Sequence, residues 1–144
     1  MLHMDDIYDG WTLDGAAARL IAGVLMPVSE GRPGAFHRYD WAAERFDDVR
    51  TPVPVPDVLL VEGCGSCPRD VDGWTTLRIW VEASADLRLQ RGLARDGAGL
   101  EPQWRTWQRT EAGEFAREDT RARADLRVDG AAAGVAGGFV TLPR

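Results

Sequence analysis

Residues Asp57–Cys67 read DVLLVEGCGSC, and the fold turns on what this stretch is. Val58 to Val61 is a continuous apolar, partly β-branched run, the pattern of a strand covered on both faces in a parallel sheet. Glu62 follows the run and Gly63 follows the acid, which puts a carboxylate at the carboxyl end of a strand, where open α/β sheets place their ligands. Buried there, it needs a cation or a donor; as a solvated strand end it needs nothing. Cys64 and Cys67 form a C-x-x-C pair next to it. Such a pair supports a thiol redox site or half a zinc site, but zinc needs four ligands and there is no second pair. The two histidines, His3 and His37, lack ligand spacing. The thiols are expected to be plain loop residues, with a thiol oxidoreductase as the weaker alternative, and Glu62 to be the chemical residue.

Downstream, Leu77 to Val81 (LRIWV) is a second strand of the same kind. Ser84 caps a helix over ADLRLQRGLARD that Gly97 stops. A longer helix is expected from about Glu101, with Pro102 in its first turn, through Trp104, Trp107, Glu111 and Phe115. The two tryptophans read as core rather than as a ligand platform. Next, ADLRVDG is a short strand, and AAAGVAGG is a low-complexity connection to a last strand at GFVTLP. Upstream, Met1–Gly10 reads as a strand end running into a loop. Small and apolar residues at Leu13, Ala16, Ala17, Leu20, Ile21, Val24 and Leu25 predict a helix to Met26, closed by Pro27 and Gly31. Residues 31–56, rich in proline, read as a long irregular connection in which AFHRYDW forms at most a short strand. Strands alternating with helices indicate an α/β domain with a mainly parallel sheet.

At 144 residues the chain has the size of one domain. Its net charge of −6, without a basic run, argues against nucleic acid or an anionic membrane as partner. All 17 basic residues are Arg and none is Lys, so chemistry that requires a lysine must find it elsewhere. No apolar run reaches the roughly 18 residues that span a bilayer, and the first ten residues lack a secretion signal, so a cytoplasmic location with reduced thiols is expected.

Three clusters carry possible chemistry. Arg88, Arg91 and Arg95 share one face of the capped helix, a phosphate-binding pattern if no acids neutralise it and a solvated face if they do. Asp5, Asp6 and Tyr8 lie at a strand end, where acids can orient a hydroxyl or hold a magnesium-water shell; alone they read as a loop. Arg38, Tyr39, Asp40 and Trp41 combine two charges with two rings, suited to a small polar ring or to an ordinary aromatic hairpin.

In order along the chain these pieces resemble the P-loop nucleoside kinases, in particular the uridine kinase-like branch. DDIY resembles the family's D-x-F-Y element, which implies Asp5 as the base acting on the acceptor hydroxyl and Tyr8 as a substrate neighbour. VLLVEG resembles an acidic strand end of the Walker B type, which implies that Glu62 orders the Mg²⁺ shell through water. DLRLQRGLARD is similar to the family's D-x-R-L-x-R-x-x-x-R-D segment, making residues 85–97 a lid-type arginine helix in which Arg91 and Arg95 are catalytic and Arg88 joins them in holding ATP phosphates. ADLRVDG resembles the strand that follows the family's long helix, and Arg38, Tyr39, Asp40 and Trp41 occupy the region that binds a nucleoside-like acceptor.

The family's G-x-x-x-x-G-K-[ST] loop, whose backbone donors and Lys cradle phosphates, is not among the 144 residues. The resemblance therefore implies a single, incomplete, N-terminally truncated P-loop kinase-like domain over residues 1–144. Its sheet would be a three-layer P-loop NTPase-like parallel sheet, with helices on both faces, lacking the central P-loop strand and first helix. Such a chain is expected to expose apolar strands and to be poorly stable alone. The alternative is a non-catalytic remnant that binds a nucleotide or partner, including as an oligomer that fills the missing sheet position.

Overall fold

The computed structural model describes residues 1–132 and 138–143. The chain forms mixed α/β structure in two compact units, Met1–Trp74 and Thr75–Arg144. The low-complexity connection expected over 131–138 lies largely outside the described residues.

In the first unit, β1 (Leu2–His3) pairs in parallel with β4 (Val61–Glu62), setting Leu2 beside Val61 and His3 beside Glu62. A 3₁₀ turn over Met4–Asp6 follows β1 and turns Met4, Ile7 and Tyr8 into the core, each at most 2% exposed. The expected first helix forms as α1 (Ala16–Leu20), a π-helical stretch (Ile21–Leu25) and α2 (Met26–Ser29). Ala16, Leu20 and Val24, spaced by four, are its buried stripe. Pro27 does not end the helix, as the sequence suggested. It lies within α2, and the widened π turns precede the position where proline cannot donate to the carbonyl four residues back.

Residues 31–56 are the largest departure from the sequence-based expectation. They form an antiparallel hairpin of β2 (Gly34–Asp40) and β3 (Arg45–Val53), with a bulge between His37 and Tyr39. Pro52 is tolerated inside β3 because a two-stranded hairpin leaves one side of each strand without a ladder to complete. Phe36 and Tyr39 of β2 are buried. The helix lies on β2 at backbone distance: a Cβ on Gly34 would come within 2.6 Å of the Gly23 carbonyl oxygen, and one on Gly23 within 2.8 Å of the Ala35 carbonyl oxygen.

The second unit is a β-α-α-β arrangement in which β5 (Ile79–Glu82) and β6 (Leu126–Asp129) pair in parallel from Ile79 beside Leu126 to Glu82 beside Asp129. Between them run α3 (Ala85–Asp96), α4 (Glu101–Glu118) and the short α5 (Thr120–Arg123). The Ser84 cap forms as expected, its hydroxyl accepting the Leu87 N–H at 3.3 Å. Gly92 lets α4 approach α3, since a Cβ there would meet the Trp104 ring at 2.5 Å. Leu89 and Trp107 are buried at this crossing. Asp125 ties the strand starts together, accepting the Arg78 N–H at 2.8 Å and the Arg78 Nε–H at 3.2 Å. The expected last strand is reduced to an antiparallel bridge of Thr141 with Val128, with the Asp129 N–H donating to the Val140 carbonyl at 2.8 Å.

Both apolar runs are shorter as strands than their sequences suggest, and neither is covered on both faces. Val58 is 82% exposed and Leu60 51%. In the other unit, Trp80 packs edge-on against Phe115 of α4 at 4.6 Å, while Leu77, Ile79 and Val81, which alternate with it, are at least half exposed. In β5 one face has its cover and the other largely lacks it.

Candidate functional site

In the first unit the acids at the carboxyl ends of β1 and β4 come together with the hairpin. His3 Nδ1 hydrogen-bonds Glu62 Oε1 across the registered strand pair. The turn after Glu62 uses Gly63 and Gly65 at φ +116° and +70°, in the left-handed region that suits glycine. Buried Tyr8 fixes that turn by donating its hydroxyl to the Cys64 carbonyl at 2.6 Å. Cys64 and Cys67 are both half-buried.

The β2–β3 hairpin is fastened to the acid segment at two points. Arg38 Nε donates to Asp6 Oδ1 at 2.8 Å, and Trp41 Nε1 donates to the Asp5 carbonyl at 3.1 Å. Around Trp41 is a chain of edge-to-face rings: Trp11 to Trp41 at 5.7 Å, Trp41 to Tyr39 at 5.1 Å and Tyr39 to Phe46 at 5.2 Å. Burial pushes the Tyr39 phenol above its usual range, with help from nearby Asp9. Asp40 serves the hairpin turn, accepting the Ala42 and Ala43 N–H groups at 2.9 and 3.0 Å. The Ala43 bond, then the Ala42 bond, hold its carboxyl below the ordinary carboxylate range.

The structure thus gathers Asp5, Tyr8, Arg38, Tyr39, Trp41 and Glu62 into one unit. Distant stretches of the chain meet because strand register and the hairpin bring them together. It keeps Asp6 with them and adds His3 and Trp11, which sequence reasoning left without a site role. His3 is visible in the sequence only as a polar residue between two apolar ones, and nothing in the spacing pairs it with a residue 59 positions away.

In the second unit the three arginines of α3 have different surroundings. Arg88 donates through Nε to Glu111 Oε1 at 3.1 Å and through a terminal nitrogen to the Ala83 carbonyl at 2.6 Å. Glu111 is the buried acid of α4, 6% exposed. Arg91 and Arg95 are exposed. Arg91 donates to the Gly130 carbonyl at the end of β6 at 2.8 Å. Arg95 lies over the Trp104 ring at 5.7 Å and forms a two-point pair with Asp96 at 2.7 and 3.0 Å, which holds the Asp96 carboxyl low. At the end of β5, the hydrogen bond from Arg121 holds the Glu82 carboxyl below its ordinary range.

Among the described residues no group of three or more His, Cys, Asp or Glu side chains could hold a metal. A cation at Glu62 would have to keep most of its shell as water, which is the habit of Mg²⁺. No helix among the described residues is long and apolar enough to cross a membrane. Compared with known proteins, the chain matches no family model and no curated sequence.

Proposed function

We propose that this chain carries the acceptor-binding and lid elements of a kinase of the uridine kinase-like type, which transfers a phosphoryl group from ATP to a hydroxyl of a nucleoside-like small molecule. The observation that carries the proposal is the pair of separate parallel strand couples, β1 with β4 and β5 with β6, each with an acid at its carboxyl end and apolar residues left uncovered. In the proposed three-layer parallel sheet, a further strand would pair with such edges and helices would cover such faces. With no lysine in 144 residues, the phosphate-loop Lys of such a kinase would have to come from outside them.

ATP with Mg²⁺ would supply the transferable phosphoryl group and neutralise part of its charge. Asp5 would accept the proton of the acceptor hydroxyl, and Glu62 would hold Mg²⁺ through water. Arg91 and Arg95, one helical turn apart and exposed, neutralise charge that develops on the transferring group. Arg38, Tyr39 and Trp41 face the acceptor, with Tyr8 holding the turn beside Glu62. Arg88, engaged with Glu111, would contribute to phosphate binding mainly by fixing α3.

Calorimetry with Mg²⁺·ATP tests the division of labour. Residues 1–144 alone should bind it no tighter than about millimolar, a few kcal/mol. Joined to a strand, a G-x-x-x-x-G-K-[ST] loop and a helix, they should turn over. In that joined form Arg95→Ala should cut kcat by about 10²–10³ with the fold intact. Micromolar binding by residues 1–144 alone, or undiminished turnover in Arg95→Ala, would overturn the assignment.

A further inference from the structure

We infer that His3 is a positioning residue of the Glu62 site: its Nδ1–H holds one oxygen of the Glu62 carboxylate and fixes where the other oxygen points. The inference rests on the proposed phosphotransfer for what Glu62 is aimed at, but the pair itself stands on geometry. His3 and Glu62 are direct partners in a parallel strand pair, so their side chains leave the same side of the ladder side by side. The backbone register, rather than a long side chain reaching across, makes the contact.

Glu62 is braced from its other neighbours as well. Gly63 packs so closely that a Cβ there would come within 2.9 Å of the Met4 Cβ, and Met4 is fully buried. Tyr8 clamps the next carbonyl at Cys64. A glutamate on so fixed a backbone keeps its own side-chain torsions as the remaining freedom, and the imidazole removes it. The side chains are 48% and 51% exposed, where such a pair adds little to stability. What the contact supplies is orientation, as an imidazole or carboxylate behind a metal-ordering group does elsewhere.

A neutral imidazole that donates from Nδ1 has its acceptor at Nε2, and this is the signature to measure. The experiment is side-chain nitrogen NMR on the 144-residue chain at pH 8, where an ordinary imidazole is neutral. His3→Gln and His37→Gln assign the two rings. His37, whose Nδ1 lies 2.7 Å from the Asp47 carbonyl, is the internal reference for an Nδ1–H form that does not depend on Glu62.

The expected wild-type spectrum has His3 as the Nδ1–H tautomer. Glu62→Ala should move His3 alone to the Nε2–H form, and Glu62→Gln, whose amide oxygen still accepts, should restore it. An Nε2–H form in the wild type, or a His3 spectrum indifferent to Glu62→Ala, overturns the inference; if Glu62→Ala fails to fold, seen as loss of the His37 signature, the wild-type spectrum decides. His3→Gln should melt within about 4 °C of the wild type, and a larger loss would make the pair a structural staple instead. A chain that shows the Glu62-dependent tautomer but, once joined to a phosphate loop, fails to turn over would retain the positioning pair and lose the kinase reading.

Discussion

Asp40 uses its carboxylate to close the turn of the hairpin that it ends, and two backbone N–H groups hold that carboxylate in its charged form. Its folded pKa therefore lies below the unfolded value of about 3.9. The unfolded chain binds the proton more readily, so this contribution to stability is fully present above about pH 4 and disappears as pH falls through the folded pKa. Asp40→Ala should lower the melting midpoint near neutral pH, and the gap to wild type should close in acid; a gap independent of pH would remove the charged acceptor from the turn. The sequence offered Asp40 as an acceptor-binding residue because a charge between two rings suits a polar ligand. Its capping role depends on the turn at Ala42 and Ala43, which composition does not specify.

At the scale of elements, the contact between the helical segment 16–29 and β2 depends on two glycines with facing backbones. Gly34→Ala would place a methyl group 2.6 Å from the Gly23 carbonyl oxygen, and backbone atoms cannot swing aside as a side chain could. A loss of about 1–3 kcal/mol is expected by urea unfolding; an unchanged midpoint would mean that helix and hairpin do not lie so close. Helices α3 and α4 were legible because Ser84, Gly97 and Pro102 mark their ends and Leu89 and Trp107 their buried sides. The hairpin was legible only as an alternative reading of residues 38–41, and its length was not, since its prolines argue against a ladder unless the strand has a side that needs no partner. The same limit hid Arg88: three arginines on one face read as an anion site until α4 places Glu111 against the first of them.

For the molecule as a whole, the exposed apolar residues of the two parallel pairs are the dominant liability. Leu77, just before β5, and Ile79 and Val81 within it are each at least half exposed, and poorly covered strands of this kind template association. Ile79→Arg with Val81→Arg should reduce concentration-dependent light scattering while leaving the melting midpoint within about 3 °C, because exposed side chains contribute little to the fold. Unchanged scattering would put the self-associating surface elsewhere.

The sequence by itself determined the α/β character, the strand-end acid Glu62, and the positions of α3 and α4. These follow from local rules of capping, periodicity and apolar runs, in which a residue's neighbours along the chain decide its state. Only the tertiary structure decided that His3 meets Glu62, that Arg38 and Trp41 fasten to the Asp5–Asp6 segment, and that the apolar runs leave large residues exposed. Those facts depend on strand register and on which surfaces remain to be covered, and both are set by contacts between residues far apart in the chain.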